Sequence, residues 1–417
     1  MKVLIVSHNV FCPTSSMGKT LSAYFKGWDR DNIAQLYIHA ETPTDGMCAN
    51  YYRITDKEAI RSIVTRKSGD ILNISSSAEQ KMSNRTVTCY QRGRRRTPAI
   101  YLARNLWWKL SAWKTKKLLN WVDAFSPDAI FFASGDYAFM YRIALALAKY
   151  KRIPLFVSCM DDYYLYNKNA NRFLGKSVHA AFMRQVNKTM NYASAVFCIC
   201  DSMTFDYDAL FHKNCVTLHT PASFSAPLCG KRKRKISYIG NLGYDRHLQL
   251  AAIGRALKKL HGDIDHIDVY STENRQEILA CMTEENGILF HGSIPAEEVK
   301  EVMAESLALI HTESFDERIR CSVKYSVSTK IADSLMSGTC LLAYGPSEVA
   351  SIEYLQKNNA AYCITDETSL LDGLSELIEN EDLRKEIEAN AVALAQKNHH
   401  PNKNSELVKS VMEEITV

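Results

Sequence analysis

Within the run SVSTKIADSLMSGTCLLAYGP, residues 326–346, a small hydroxyl residue precedes a helical pattern that carries a lysine and an acid on one face. Ser328 suits the N-cap of a helix opening at Thr329, which leaves backbone N–H groups and the positive end of a helix dipole beside Lys330. That combination suits an anion with several oxygens, a diphosphate above all. Asp333 lies one turn further along the same face, where its carboxylate can take a sugar hydroxyl. The alternative is an ordinary helix capped at Gly338.

A second phosphate-like signal, CPTSSMGKT at 12–20, follows the apolar run VLIVS. Gly18-Lys19-Thr20 supplies the end of a P-loop, but the first glycine that loop requires is replaced by Pro13, which has no N–H and a fixed φ. Nucleoside triphosphate binding is therefore not expected there. Candidates for proton transfer or acceptor contact are His8, just after the first strand, and Asp161 and Asp162 in CMDDYYLY, after a strand at 154–159. A helix cap or surface loop is the competing role for the two aspartates.

The segment from 80 to 122 contains no acid, whereas Arg94, Arg95, Arg96, Lys116 and Lys117 all fall in it. Trp107, Trp108, Trp113 and Trp121 are interleaved, four of the five tryptophans in the chain. Cations beside interfacial aromatics suit a helix lying on an anionic bilayer, so Arg94, Arg95, Arg96, Trp107, Trp108, Trp113, Lys116 and Lys117 are the expected membrane-facing residues. Nucleic acid is not the expected partner, and a plain solvated helix with some tryptophans in the core is the other reading.

Positioning these residues requires a scaffold of considerable size. The chain has 417 residues, 46% hydrophobic and 23% charged, with a net charge of +5, as in a globular protein of two domains. The start MKVLIVSHNVF enters a short strand rather than a leader, and no apolar run approaches the ~20 residues of a membrane span. The twelve cysteines form no C-x-x-C pair, and no metal site is expected. Short runs rich in Val, Ile and Phe at 2–6, 35–39, 129–134, 154–159, 195–200 and 214–218 alternate with helical patterns, one of them at 98–122. After the basic stretch at 226–235 the alternation resumes, with strands at 235–240, 266–270, 287–290, 307–311, 339–344 and 360–363. This predicts α/β architecture: two doubly wound Rossmann-like domains, at 1–225 and 236–396, facing a cleft. Residues 226–235 would be the linker, and a last helix within 397–417 would return to the first domain.

Ile239-Gly240-Asn241, then FHGSI at 290–294, then STK-x-x-D-x-L-x-S-G-x-x-L-L-A-Y-G-P together resemble the nucleotide-sugar glycosyltransferases of the GT-B fold. The closest group is the retaining family 4 type of bacterial polysaccharide assembly. The resemblance implies that Gly240 and Asn241 let the backbone approach a donor diphosphate, with Arg246 as counter-charge. Backbone groups of Ser293 and Ile294 would read the base, and Ser328, Thr329, Lys330 and Asp333 would hold diphosphate and ribose. Gly18, in the first β–α loop, would face the cleft. The family's paired glutamates are matched in kind only by Asp333, because Tyr325 stands eight residues before it, and Tyr325 would then be the residue at the donor sugar. A cytoplasmic, peripherally membrane-bound transferase follows, moving sugar from a nucleoside diphosphate to a glycan or lipid-linked acceptor without a cofactor or essential metal. The rival functions are a nucleotide-sugar epimerase of related fold and a non-catalytic nucleotide-sugar-binding protein.

Overall fold

The computed structural model describes residues 1–12, 16–43, 46–72, 97–167 and 169–416. The chain divides into two compact units, Met1–Leu218 with Ser405–Val417, and His219–Asn404.

The first unit is built on eight strands: β1 (Val3–Ser7), β2 (Ile33–Tyr37), β3 (Asn50–Arg53), β4 (Asp70–Leu72), β5 (Ala129–Ala133), β6 (Leu155–Cys159), β7 (Ala195–Cys198) and β8 (Cys215–Thr217). Their order is β4-β3-β2-β1-β5-β6-β7-β8, parallel except for the antiparallel β3–β4 pair. Every residue of β1, β2, β5 and β6 is buried, which is why these strands read as mostly apolar runs: helices cover both faces of a parallel sheet. The helix expected over 98–122 is two helices, Pro98–Leu110 and Lys116–Phe125. The break is made by Thr115, whose hydroxyl accepts from the Leu118 N–H and caps the second helix. Gly18 is buried inside the Ser16–Tyr24 helix and does not lie in a loop open to a ligand.

The second unit carries β9 (Ile236–Ile239), β10 (Ile267–Tyr270), β11 (Ile288–Gly292), β12 (Ala308–Thr312), β13 (Cys340–Tyr344) and β14 (Tyr362–Ile364). All are parallel, in the order β11-β10-β9-β12-β13-β14. Strand order reverses between β9 and β12, as it does between β1 and β5 in the first unit. In doubly wound sheets the crevice outside the carboxyl ends at such a reversal is where ligands bind.

The basic stretch at 226–235 belongs to the second unit. Arg232 donates to the carbonyls of Ala304 (2.7 Å) and Gly338 (2.5 Å), so a residue that reads as solvated linker is tied to two helix ends. Gly338 itself has φ +72°, the left-handed conformation that ends the Thr329–Ser337 helix and turns the chain into β13. The Pro401–Thr416 helix places Val408 and Met412, both fully buried, in the core of the first unit. Ser405 opens that packing: its hydroxyl donates to the Lys26 carbonyl (2.7 Å) and accepts from Trp28 Nε1 (3.0 Å).

Candidate functional site

At the β9/β12 reversal a cavity of about 110 Å³ is lined by Asn241, Arg246, His311, Ser328 and Lys330, among others. Ser328 is the N-cap of the Thr329–Ser337 helix; its hydroxyl accepts from the Lys330 N–H. The helix start therefore opens on the cavity with a lysine beside it, an arrangement suited to a diphosphate.

Gly240 follows β9, and a Cβ there would come within 2.7 Å of the Tyr238 hydroxyl, which donates to the Asn241 carbonyl at 2.6 Å. The glycine thus makes room for a tyrosine that holds the turn. Asn241 Oδ1 accepts from the Gly243 N–H at 2.6 Å and shapes the same turn. Arg246 lines the cavity and is also paired within the protein. Its Nη2 donates to Glu313 Oε1 at 2.6 Å and its Nε to the Thr312 carbonyl at 3.1 Å. Burial pushes the Glu313 carboxyl up while the Arg246 guanidinium pulls it back, and the second oxygen, Oε2, is buried with no hydrogen-bond partner. His311, against Ser351 Oγ at 3.0 Å, is lowered to about 3 by burial and by Arg246, and so is neutral. Sequence reasoning missed Glu313 and His311, because neither sits in a recognisable motif.

The other expected donor residues do not line this cavity. Thr329 opens the helix itself. Ser293 is exposed and Ile294 half-buried after β11. Tyr325 is buried, its hydroxyl accepting from Lys324 Nζ at 2.9 Å. Asp333 is held by Ser223, whose N–H and hydroxyl donate to its two carboxylate oxygens at 2.5 and 2.7 Å. A second partner such as a ribose hydroxyl would have to share those oxygens.

At the β1/β5 reversal the first unit gathers His8, Arg104, Asp136 and Tyr137. Arg104 Nη2 lies 3.0 Å from His8 Nε2, its Nε donates to Asp56 Oδ1 at 3.0 Å, and its guanidinium carbon sits 3.9 Å above the Tyr137 ring. Trp108 Nε1 donates to the same Asp56 oxygen at 2.7 Å, and Tyr101 donates to Asp136 Oδ2 at 2.6 Å. Asp162, by contrast, is a structural acceptor. Its carboxylate takes the N–H groups of Tyr164, Leu165 and Tyr166 and the Tyr207 hydroxyl, at 2.8 to 3.0 Å. Asp161 accepts from the Asp162 N–H at 3.1 Å. The cap therefore wins over the base for Asp162.

The expected membrane residues separate. Arg94, Arg95 and Arg96 lie outside the described residues. Trp108 and Trp113 are corrections to the expectation, since both are buried; Trp108 stacks on Phe139 with ring centres 4.5 Å apart. Trp107 is exposed, and Leu102, Leu106 and Leu110 join it on the outer face of the Pro98–Leu110 helix. Lys116 and Lys117 are exposed, Lys117 pairing with Asp70. Among the described residues no helix is long and apolar enough to cross a membrane, and no group of three His, Cys, Asp or Glu side chains forms a metal site.

Residues 245–409 match the sequence model of the glycosyl transferase-like family. Among solved structures, HepE from Anabaena, crystallised with UDP and glucose, superposes with a TM-score of 0.63 at 12% identity, covering 99% of this chain and 99% of that one. Sucrose-phosphate synthase from Thermosynechococcus elongatus gives 0.64 at 8% identity over 100% and 99% of the two chains. WaaG, a glycosyltransferase of lipopolysaccharide biosynthesis, gives 0.53 at 11% identity over 97% and 99%. Among curated protein sequences none matches. The likeness over full length shows the GT-B fold expected from the sequence.

Proposed function

We propose, from a chain whose residues 245–409 match the glycosyl transferase-like family and whose fold is GT-B, that the protein moves a sugar from a nucleoside diphosphate to a glycan or lipid-linked acceptor. The observation that carries this reading is the cavity at the β9/β12 reversal, where a capped helix start and Lys330 meet Asn241. The helix N–H groups and Lys330 supply positive potential where the departing diphosphate gathers charge, the electrostatic help that sugar transfer needs most and that here calls for no metal or cofactor. Uridine is the base favoured by the likeness to HepE, whose crystals contain UDP. Retention at the anomeric carbon follows from the family 4 resemblance.

The acceptor is read as membrane-associated because the Pro98–Leu110 helix turns Leu102, Leu106, Trp107 and Leu110 outward beside exposed Lys109, in a segment free of acids. Such a face suits peripheral attachment to an anionic leaflet, on the cytoplasmic side where nucleotide sugars are available. Calorimetric titration of UDP and UDP-glucose, followed by NMR of the products formed with candidate acceptors, tests the reading. Binding of UDP and formation of a glycoside support transfer; epimerised sugar would indicate the epimerase, and absence of UDP binding would sink the donor site.

A further inference from the structure

The cluster at the β1/β5 reversal defines a chemical role for His8. A guanidinium carries five N–H donors and no acceptor, and it stays charged throughout the physiological range. The His8 atom 3.0 Å from Arg104 Nη2 must therefore present a lone pair, which places the proton of the neutral ring on Nδ1. Protonating Nε2 would set two donors and two positive charges against each other. Arg104 is itself held on three sides: by Asp56, by the face of Tyr137 at 3.9 Å, and by Phe139, whose ring centre lies 5.1 Å away. Asp56 is fixed in turn by Trp108 Nε1. Tryptophan, aspartate, arginine and histidine thus form a chain from the core to the carboxyl end of β1.

We propose that His8 is a fixed Nδ1–H donor that binds a hydroxyl oxygen of a neutral sugar, and that Arg104 is the positioning residue that fixes its tautomer and denies it the role of base. The inference rests on the glycosyl-transfer reading for the identity of the sugar as acceptor. The charge around the site favours an uncharged ligand. The Arg104 cation is matched by Asp56, and Asp136, which accepts from Tyr101, adds negative charge after β5. His39, after β2, meets the His8 ring edge-on at 5.8 Å, and Tyr137 stacks on it at 6.1 Å. Among the described residues these groups, from β2, β5 and the helices carrying Asp56, Tyr101 and Arg104, leave no surplus of cations for a phosphate. Burial and Arg104 lower His8 to about 3, in agreement with the geometry.

The test is ring-nitrogen NMR of the full chain, with the His8 signals assigned by their loss in His8→Gln. The neutral Nδ1–H pattern is expected, unchanged between about pH 5 and pH 8. In Arg104→Met the His8 ring should begin to titrate in that range, whereas Arg104→Lys, which keeps a donor and a charge, should hold the wild-type pattern. A wild-type His8 that titrates near the ordinary value of about 6.5, or that shows the Nε2–H pattern, overturns the fixed tautomer. Adding D-glucose should shift the Nδ1–H signal and inorganic phosphate should not; a response to phosphate alone, or to neither, overturns the ligand class. None of these readings requires turnover. An intact His8 result in a protein without transferase activity would therefore discard the proposed function and keep the positioning role.

Discussion

Single residues divide by where the fold places their polar atoms. Lys330 stands at a helix start that opens on a cavity, so Lys330→Ala should weaken UDP by about 10- to 150-fold, the cost of one charge-assisted hydrogen bond, and uridine far less. Calorimetry on both ligands checks this, and equal losses for the two would remove Lys330 from the diphosphate. Asp162 has its carboxylate filled by three backbone N–H groups and a tyrosine hydroxyl, so Asp162→Ala should cost the first unit about 3 kcal/mol by leaving buried donors unpaired. Asp161→Ala, at a more exposed site, should change stability by only about 0.5 kcal/mol. Urea unfolding separates the two, and similar losses would mean that Asp162 is no cap. The sequence showed Ser328 and Lys330 because a cap and its helix are local. It hid Glu313 from Arg246, 67 residues away, and Arg104 from His8, 96 residues away, because ion pairs and hydrogen bonds across a fold leave no spacing to read.

Elements were legible where burial is continuous. The strands β1, β5, β6, β12 and β13 could be read because each is buried throughout and mostly apolar. The short β3 and β4, rich in polar residues, carried no such mark. The break at Thr115 was missed because it lacks glycine and proline and is made by a side-chain cap. That break matters for the outward face of the Pro98–Leu110 helix, since it separates Leu102, Leu106 and Leu110 from the buried Trp113 and Trp121. Replacing the three leucines by serine should lower partitioning onto anionic vesicles by at least about tenfold, because burying leucine side chains contributes roughly 1.5–3 kcal/mol each. Vesicle flotation gives the answer: binding that is unchanged, or that is equal on neutral lipid, refutes the docking face. Trp108→Phe should instead destabilise the first unit, since it leaves Asp56 without its indole partner.

For the whole molecule the buried histidines set the response to acid. His8, His311 and His399 are each lowered to about 3, with burial the largest cause. A folded state that refuses a proton the unfolded chain accepts loses stability as pH falls. The contribution is complete above about 6.5 and declines from there towards about 3, by roughly 1.4 kcal/mol per pH unit for each histidine. Glu313, raised by burial, acts in the opposite sense, because the folded state takes its proton first. Two of the three histidines belong to the unit His219–Asn404, where they outnumber the single opposing Glu313, so this unit should lose stability as the pH falls from about 7 to 5. Chemical unfolding across that range measures it, and stability that is flat or rising would contradict the neutral assignments. The return of the last helix to the first unit has a consequence for synthesis on the ribosome. The unit His219–Asn404 is continuous and can close once Asn404 has left the exit tunnel, whereas the unit begun by Met1 is completed only when Val408 and Met412, which follow that whole unit in the chain, emerge. A chain broken off between Asn404 and Val408 would therefore carry a folded unit His219–Asn404 behind an earlier unit that still exposes part of its core, and quality control would meet the earlier-made unit as the unfinished one.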